Sequence, residues 1–123
     1  MNTSPLEAEE QVTLIDYLEI KNLKFTAIPN STFTKSPKQK IKNWKQGLRK
    51  GFPDLIVIVP CGDGKKRLVC IELKRTKGGV LRDDQKEWIA AIDECEQTGA
   101  FVCYGATEAI DLIDSLLKRK IFY

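Results

Sequence analysis

The sequence contains no histidine among its 123 residues. This absence excludes Ser-His and Cys-His catalytic pairs, histidine general bases and histidine metal ligands. No two cysteines form a C-x-x-C pair, so the spacing typical of zinc sites is missing and we expect no zinc. Any catalysis must therefore depend on carboxylates, lysines and a hard metal ion. The cysteines are Cys61, Cys70, Cys95 and Cys103.

Long hydrophobic runs are also missing. No segment has the length that a membrane span needs, and the polar stretch from Met1 to Glu10 lacks the apolar core of a signal peptide. The apolar share of 42% is still sufficient for a hydrophobic core. We therefore expect a cytoplasmic protein without a membrane partner, folded as one domain over residues 1–123.

Positive charge is concentrated in one stretch, Asn30 to Lys50, which we call the basic segment. It contains no acid, and the rest of the chain has more acids than cations although the net charge is +3. This asymmetry favours a polyanionic partner such as nucleic acid, although a solvated lysine-rich loop would have the same composition. The candidate nucleic-acid-binding residues are Lys35, Lys38, Lys40, Lys42, Lys45, Arg49 and Lys50.

Hydrophobic periodicity and turn residues predict the element order α-β-β-β-α-β-α, an α/β fold with about four strands in a mixed central sheet flanked by helices. From Pro29 to Gly51 the sequence has no clean period, so we predict a long basic loop that could hold one helical turn around Ile41, Trp44 and Leu48. Gly99 is expected to end the second helix and Thr107 to cap the third. The predicted helices are Leu6–Lys21, Arg82–Gln97 and Thr107–Lys118. The predicted strands are Phe25–Ile28, Asp54–Val59, Arg67–Lys74 and Ala100–Tyr104.

The hairpin between the second and third predicted strands decides which side chains meet. A three-residue turn, Gly62–Gly64, pairs Cys61 with Lys65. The same register sets Asp54 opposite Glu72, so that the two carboxylates share one face of the sheet.

The alternative is a two-residue turn at Asp63-Gly64. It sets Asp54 opposite Leu73, on the wrong face unless a bulge intervenes. We expect the first register, or a bulged form of the second. In either form Lys74, two residues after Glu72, lies on the same face as the carboxylates.

Asp54, Glu72 and Lys74 suit a magnesium site. Two carboxylates that meet at strand ends repel each other unless a cation lies between them. Mg²⁺ takes oxygen ligands, needs one or two carboxylates and keeps positions for water and phosphate. Lys74 can hold the attacking water or stabilise the transition state. A plain ion pair between Glu72 and Lys74 is the alternative, but charges beside such apolar segments are costly to bury without a partner.

These residues belong to a longer motif, and the motif resembles a known nuclease family. The combination resembles the PD-(D/E)XK nuclease superfamily. More closely, it resembles the virus-type replication-repair nuclease (VRR-NUC) domain in its small stand-alone form from phages and bacteria. The resemblance extends from Glu9 to about Ile113 and implies a restriction-endonuclease-like core. Its parts are Gly51-Phe52-Pro53-Asp54-Leu55-Ile56, Ile71-Glu72-Leu73-Lys74 and Gln85-x-x-Trp88.

The resemblance implies roles for individual residues. Asp54 and Glu72 would bind the metal with help from the backbone carbonyl of Leu73, and Lys74 matches the catalytic lysine. A glutamate on the first helix is also expected near the metal. The family's Glu-x-Gln pattern selects Glu9 over Glu10, although both glutamates could merely complement the positive end of their helix.

Gln85 matches a glutamine that recurs in the family. Independently of this match, it lies on the apolar stripe at the start of its helix and should point toward the sheet. A buried amide needs a hydrogen-bonding partner, and the scissile phosphate or a water at the metal is a candidate. We assign Trp88 to the core rather than to base stacking.

The activity that the resemblance implies is Mg²⁺-dependent endonucleolytic hydrolysis of DNA, with Mn²⁺ as a substitute metal. Stand-alone domains of this type resemble Holliday-junction resolvases, so we expect branched DNA as substrate, a homodimer, and a role in replication, repair or recombination. The alternatives are a nuclease of the same fold acting on linear or sequence-defined DNA, and a nucleic-acid-binding module without catalysis.

Overall fold

The computed structural model describes residues 5–29 and 35–119, and within these ranges the chain forms four helices and four strands. The order is α-β-α-β-β-α-β-α, which adds one helix to the predicted order. The helices are α1 (Pro5–Ile20), α2 (Pro37–Lys45), α3 (Asp83–Asp93) and α4 (Ala106–Leu117). The strands are β1 (Lys24–Ala27), β2 (Leu55–Pro60), β3 (Lys66–Lys74) and β4 (Thr98–Tyr104).

The four strands form one mixed sheet in the order β1-β2-β3-β4. The β1–β2 and β2–β3 pairs are antiparallel and the β3–β4 pair is parallel. A parallel pair needs a crossover connection, and α3 supplies it. The predicted mixed four-stranded α/β sheet is therefore confirmed.

The register of the β2–β3 hairpin follows the three-residue turn. Leu55 lies opposite Ile71, and the backbone N–H of Cys61 donates to the carbonyl of Lys65 at 2.8 Å. This register is the first of the two alternatives and needs no bulge. Continued by one residue, it sets Asp54 opposite Glu72.

The hydrophobic core lies between one face of the sheet and the pair α1 and α4. Alternate residues of β2 and β3 point toward this core, as a period of two requires. Each fully buried Leu or Ile side chain contributes about 1.5–3 kcal/mol, so these positions supply most of the driving force for folding. The core includes Leu14 and Leu18 of α1, Leu55, Val57 and Val59 of β2, Ile71 and Leu73 of β3, and Ala109 and Ile113 of α4.

The basic segment contains a helix where a loop was predicted. Residues 30–34 of this segment lie outside the described residues. From Ser36 onward the chain has clear helix signals: the hydroxyl of Ser36 accepts from the backbone N–H of Gln39 at 3.2 Å, and Pro37 occupies the first turn. Because α2 buries none of its residues, it lacks the apolar period by which helices are usually detected.

Helix α2 ends at a glycine. Gly47 has φ +97°, and the backbone N–H of Leu48 donates to the carbonyl of Asn43 at 3.0 Å. This is a Schellman ending, in which a left-handed glycine satisfies the last carbonyls of a helix. Leu48 therefore lies beyond the helix and not on its last turn.

The predicted end of α3 is wrong by about one turn. The helix ends at Asp93. The Thr98 hydroxyl, at the start of β4, can donate to the carbonyl of either Ile92 at 2.7 Å or Cys95 at 2.8 Å. Gly99, which was expected to end the helix, is the second residue of β4. The other strand and helix boundaries differ from the prediction by one or two residues.

Helix α4 is capped by a residue of α1, not by Thr107. Its N-cap position is Gly105, which has no side chain, and the carboxylate of Glu10 instead accepts from the backbone N–H of Ala106 at 2.9 Å. Gly105 has φ +96°, and a Cβ there would lie 2.5 Å from Glu10 Oε2. The backbone N–H of Gly105 also donates to the carbonyl of Lys74 at 2.9 Å, so this junction joins α1, α4 and the end of β3.

Glu10→Ala should therefore lower the free energy of unfolding by about 0.5–2 kcal/mol, the usual effect of losing a helix cap. Urea denaturation measures this change. Glu9→Ala is the matched control, because the Glu9 side chain is exposed, and it should change stability by less than about 0.5 kcal/mol. Equal effects of the two substitutions would contradict the capping role of Glu10.

Candidate active site

Asp54 lies immediately before β2, at the point where the ladder between β2 and β3 stops. Its carboxylate takes over the pairing there, because Asp54 Oδ2 accepts from the backbone N–H of Leu73 at 2.9 Å. In an extended strand the N–H and C=O of one residue point to the same edge. The carbonyl of Leu73 is therefore directed toward the side on which Asp54 lies.

Glu72, Lys74 and Gln85 form a buried hydrogen-bonded group on the face of β3 toward α3. Lys74 Nζ donates to Gln85 Oε1 at 2.9 Å and lies 3.5 Å from Glu72 Oε2. Gln85 Nε2 donates to Glu72 Oε2 at 3.0 Å. All three residues are buried: Glu72 is 2% exposed, Lys74 is 8% exposed and Gln85 is 6% exposed. Gln85 thus links the carboxylate of Glu72 to the ammonium group of Lys74.

Gln85 has protein partners rather than a free amide. Besides the contacts to Glu72 and Lys74, its Oε1 accepts from the backbone N–H of Arg82 at 3.0 Å, at the start of α3. The sequence predicted a buried amide that needs a partner, and the structure supplies these three. Gln85 is therefore suited to orienting Glu72 and Lys74 rather than to direct contact with a ligand.

Glu72 carries an unpaired oxygen. Within the described ranges, Glu72 Oε1 is the only buried side-chain oxygen or nitrogen without a hydrogen-bonding partner. Burial, together with the negative charge of Asp54, raises the pKa of Glu72 to about 8. Burial also raises the pKa of Asp54, although the N–H of Leu73 and the charges of Lys74 and Arg82 oppose this shift. The pair thus disfavours two full negative charges unless a cation accompanies them.

A third carboxylate, Glu7, lies near this pair. Partial burial and the charge of Asp54 raise the pKa of Glu7, and the charges of Lys74 and Arg75 act in the opposite direction. Glu7 precedes the buried Leu14 by seven residues, about two turns, so it shares the inward face of α1. This periodicity is the signal by which the sequence could have identified Glu7.

Glu9 lies away from the cluster. Five residues separate it from Leu14, which rotates it by about 140° from the buried face of the helix, and its side chain is exposed. Glu10 caps α4. The structure therefore brings Glu7 close to Asp54, in place of the Glu9 that the Glu-x-Gln pattern selected.

Comparison with known proteins identifies the family of the chain. The family model that matches the chain describes the VRR-NUC domain and covers residues 7–107. The chain belongs to the VRR-NUC family. A solved structure described as a VRR_NUC domain protein is similar, with a TM-score of 0.65 and 25% sequence identity, over 94% of this chain and 91% of the other. No curated protein matches the sequence.

Membership of the VRR-NUC family implies nuclease activity, and a nuclease domain implies binding to DNA. The resemblance that the motifs indicated is confirmed. The mixed sheet is consistent with the fold of this family. No helix within residues 5–29 and 35–119 is long and apolar enough to cross a membrane.

The cations of the basic segment lie at the surface of this VRR-NUC domain. All seven of them, Lys35, Lys38, Lys40, Lys42, Lys45, Arg49 and Lys50, are exposed. Four belong to α2 and two follow its end. The described part of the segment, residues 35–50, is thus available to a polyanion.

Trp88 joins the basic segment to α3. Its indole N–H donates to the carbonyl of Lys50 at 3.1 Å, and its ring packs edge-on against Phe52 with the centroids 5.1 Å apart. Next to them, Gly51 has φ +97°, and a Cβ there would lie 2.8–2.9 Å from Asp84. Trp88 therefore packs against Phe52 and fixes the chain just before Asp54, but it is only half-buried and lies outside the hydrophobic core to which the sequence assigned it.

The raised pKa of Glu72 predicts a pH-dependent stability of the metal-free protein. Because the folded pKa of about 8 exceeds the ordinary 4.5, this group stabilises the fold most below about pH 4.5. Its contribution is lost as the pH rises toward 8. Glu72→Gln removes the charge, so the variant should be more stable than the parent by about 1–2 kcal/mol near pH 8.

The measurement is urea denaturation in EDTA at several pH values. The difference between variant and parent should be small near pH 4.5 and grow toward pH 8. Glu19→Gln, at an exposed position of α1, is the control and should give a flat difference. A Glu72→Gln difference that does not change with pH would contradict the assignment.

Proposed function

We propose that this protein is a metal-dependent DNA endonuclease and that Asp54, Glu72 and Lys74 carry out phosphodiester hydrolysis. The observation that carries the proposal is the buried oxygen of Glu72 without a partner, adjacent to a second carboxylate and a buried lysine. An unpaired buried carboxylate oxygen is costly. It persists where it has a function, and ligation of a cation is the function that fits.

The residues present fit a magnesium ion. Asp54, Glu72 and the backbone carbonyl of Leu73 would hold it, since Mg²⁺ takes oxygen ligands and needs only one or two carboxylates. Within residues 5–29 and 35–119, no three Cys, Asp or Glu side chains form a metal-binding group, so water and phosphate oxygens would fill the other positions. A bound Mg²⁺ or Mn²⁺ would polarise the phosphate and acidify a water molecule.

Lys74 would act on the reacting phosphate or on the attacking water. Its ammonium group is held between Gln85 and Glu72, so the positive charge is oriented before the substrate arrives. A charge oriented in advance stabilises the negative charge that develops in the transition state without reorganisation. Gln85 acts through Lys74 and Glu72 as a positioning residue.

DNA would be attracted mainly by the basic segment. The rest of the chain has an excess of acids, so it would repel a polyanion at long range. We propose branched DNA as substrate and a homodimer as the active form, since a two-fold dimer would present two sites and two basic segments to a symmetric junction. The intact carboxylate–lysine cluster favours an enzyme over a binding module without catalysis.

Asp54→Asn, Glu72→Gln and Lys74→Ala should each lower the cleavage rate by at least about 10²–10³, the usual effect of removing a group that stabilises the transition state. Because the three groups act as one unit, a double variant should be little worse than either single one. Cleavage rates on labelled four-way junction, flap, linear duplex and single-stranded DNA measure these effects and rank the substrates.

Glu87→Gln, on the exposed side of α3, is the control and should cleave like the parent. Full cleavage by Glu72→Gln would refute the proposed catalytic site.

The metal requirement is tested in the same assay. Cleavage should occur with Mg²⁺ or Mn²⁺, should be lost in EDTA, and should be weak with Ca²⁺, which accepts looser geometry. Calorimetric titration with Mn²⁺ gives a readout independent of activity, and Glu72→Gln should weaken that binding. Robust cleavage in EDTA would exclude this mechanism.

Glu7→Gln should lower activity more than Glu9→Gln. A carboxylate beside a metal site typically changes metal affinity or activity by about 10- to 100-fold when it is replaced, whereas an exposed carboxylate on the other side of α1 should have little effect. Cleavage rates over a range of Mg²⁺ concentrations distinguish a loss of metal affinity from a loss of rate. A larger effect at Glu9 would return the role to that residue.

A further inference from the structure

Helix α2 exposes large apolar side chains together with its lysines. None of its residues is buried, and Ile41 and Trp44 are 58% and 61% exposed. A tryptophan that is mostly exposed, on a helix that packs none of its side chains into the core, contributes little to the fold. Its contact area is therefore available to a partner.

The exposed tryptophan is nevertheless held in one orientation. The guanidinium of Arg49 lies over the Trp44 ring, 4.2 Å from the centroid. Arg49 Nη1 donates to the carbonyls of Trp44 at 2.8 Å and Leu48 at 3.0 Å, so the Schellman ending at Gly47 brings the arginine back over the helix. Arg49 covers one face of the indole, and the exposure of Trp44 shows that much of the ring remains accessible to solvent.

Cations flank the apolar pair on both sides of the helix. Ideal helical geometry sets Ile41 and Trp44 about 60° apart around the axis. Lys45 and Lys38 lie about 40–60° beyond Ile41, and Lys40 lies about 40° beyond Trp44 on the other side. An apolar stripe bordered by cations matches a nucleic acid, in which apolar base faces lie between two lines of phosphates.

The charge of the basic segment decides whether DNA or a second copy of this chain binds to the exposed surface of α2. The basic segment has seven cations and no acid, so two copies of α2 that met face to face would bring like charges together. DNA supplies the opposite charge, and aromatic side chains stack on bases of any sequence. A stacked base must first be accessible, which in a duplex requires an interruption.

We infer that Trp44 stacks on a nucleobase exposed at an interruption of a DNA duplex, while the flanking lysines contact the phosphates on either side. This inference rests on the proposed DNA binding of the basic segment and deepens it. Phosphate contacts alone attract every DNA equally. The stacking of Trp44 would make the same surface prefer branch points, gaps and flaps over continuous duplex.

The experiment measures binding with cleavage removed. Glu72→Gln serves as the parent, and the two DNAs are a continuous duplex and a duplex with a gap that exposes one unpaired 2-aminopurine. Trp44→Ala should weaken binding to the gapped DNA by about 5- to 150-fold and binding to the continuous duplex by less than about threefold. Because no phosphate contact is removed, the slope of log affinity against log salt should not change.

Two matched variants separate stacking from charge. Trp44→Phe keeps an aromatic face and should recover part of the preference for the gap. Lys40→Ala combined with Lys45→Ala removes one flanking lysine on each side. This double variant should weaken binding to both DNAs to a similar extent and reduce the salt slope by about two units if both lysines contact phosphate. At saturating protein, the parent should change the 2-aminopurine fluorescence in a way that Trp44→Ala does not reproduce.

Equal losses on the two DNAs, or a fluorescence change that Trp44→Ala reproduces, would overturn the stacking role. Sedimentation of the parent and of Trp44→Ala without DNA tests whether a second copy of this chain binds to this surface instead. A dimer that becomes a monomer in the variant, with the preference for gapped DNA unchanged, would assign the surface to self-association. The proposed catalytic site is judged separately, because its failure appears as cleavage by Glu72→Gln and not as a change in this binding.

Discussion

Two carboxylates, those of Asp54 and Glu72, meet where β2 begins and β3 nears its end, and Glu72 is almost completely removed from water. The neighbouring groups compensate the burial of these two carboxylates only in part. The N–H of Leu73 satisfies Asp54 Oδ2, and Gln85 and Lys74 satisfy one oxygen of Glu72. The second oxygen of Glu72 has no donor within the described residues. The elements of the fold therefore hold two carboxylates together although the neighbouring donors satisfy them only in part.

The part of this site within the hairpin could be predicted from the sequence, because a hairpin is local. Once the turn at Gly62–Gly64 is assumed, the period of two along each strand determines that Asp54, Glu72 and Lys74 share a face. The carboxylate of α1 that lies near Asp54 was less predictable. A short family pattern selected Glu9, whereas the 3.6-residue period, counted back from Leu14, would have selected Glu7.

The remaining differences have a common physical origin in contacts that are not visible in a local pattern. Helix α2 was expected only as one helical turn in a loop because it has no buried face, and its signals are the caps at Ser36 and Gly47. The cap of α4 comes from Glu10, 96 residues earlier in the chain. Gln85 was correctly expected to be buried, but only the three-dimensional position of α3 identifies Glu72 and Lys74 as its partners.

The mixed pairing of the sheet has a consequence for the order in which the protein folds. Asp54, Glu72 and Lys74 belong to one antiparallel hairpin, which closes a short loop. Gln85 joins them only when the α3 crossover docks and β4 pairs in parallel with β3. That pairing closes a longer loop than the hairpin does. Local contacts form at a lower entropic cost than distant ones. We therefore expect the mutual repulsion of the carboxylates to oppose the earliest structure, because the hairpin forms before Gln85 can hold Glu72 and Lys74 in place.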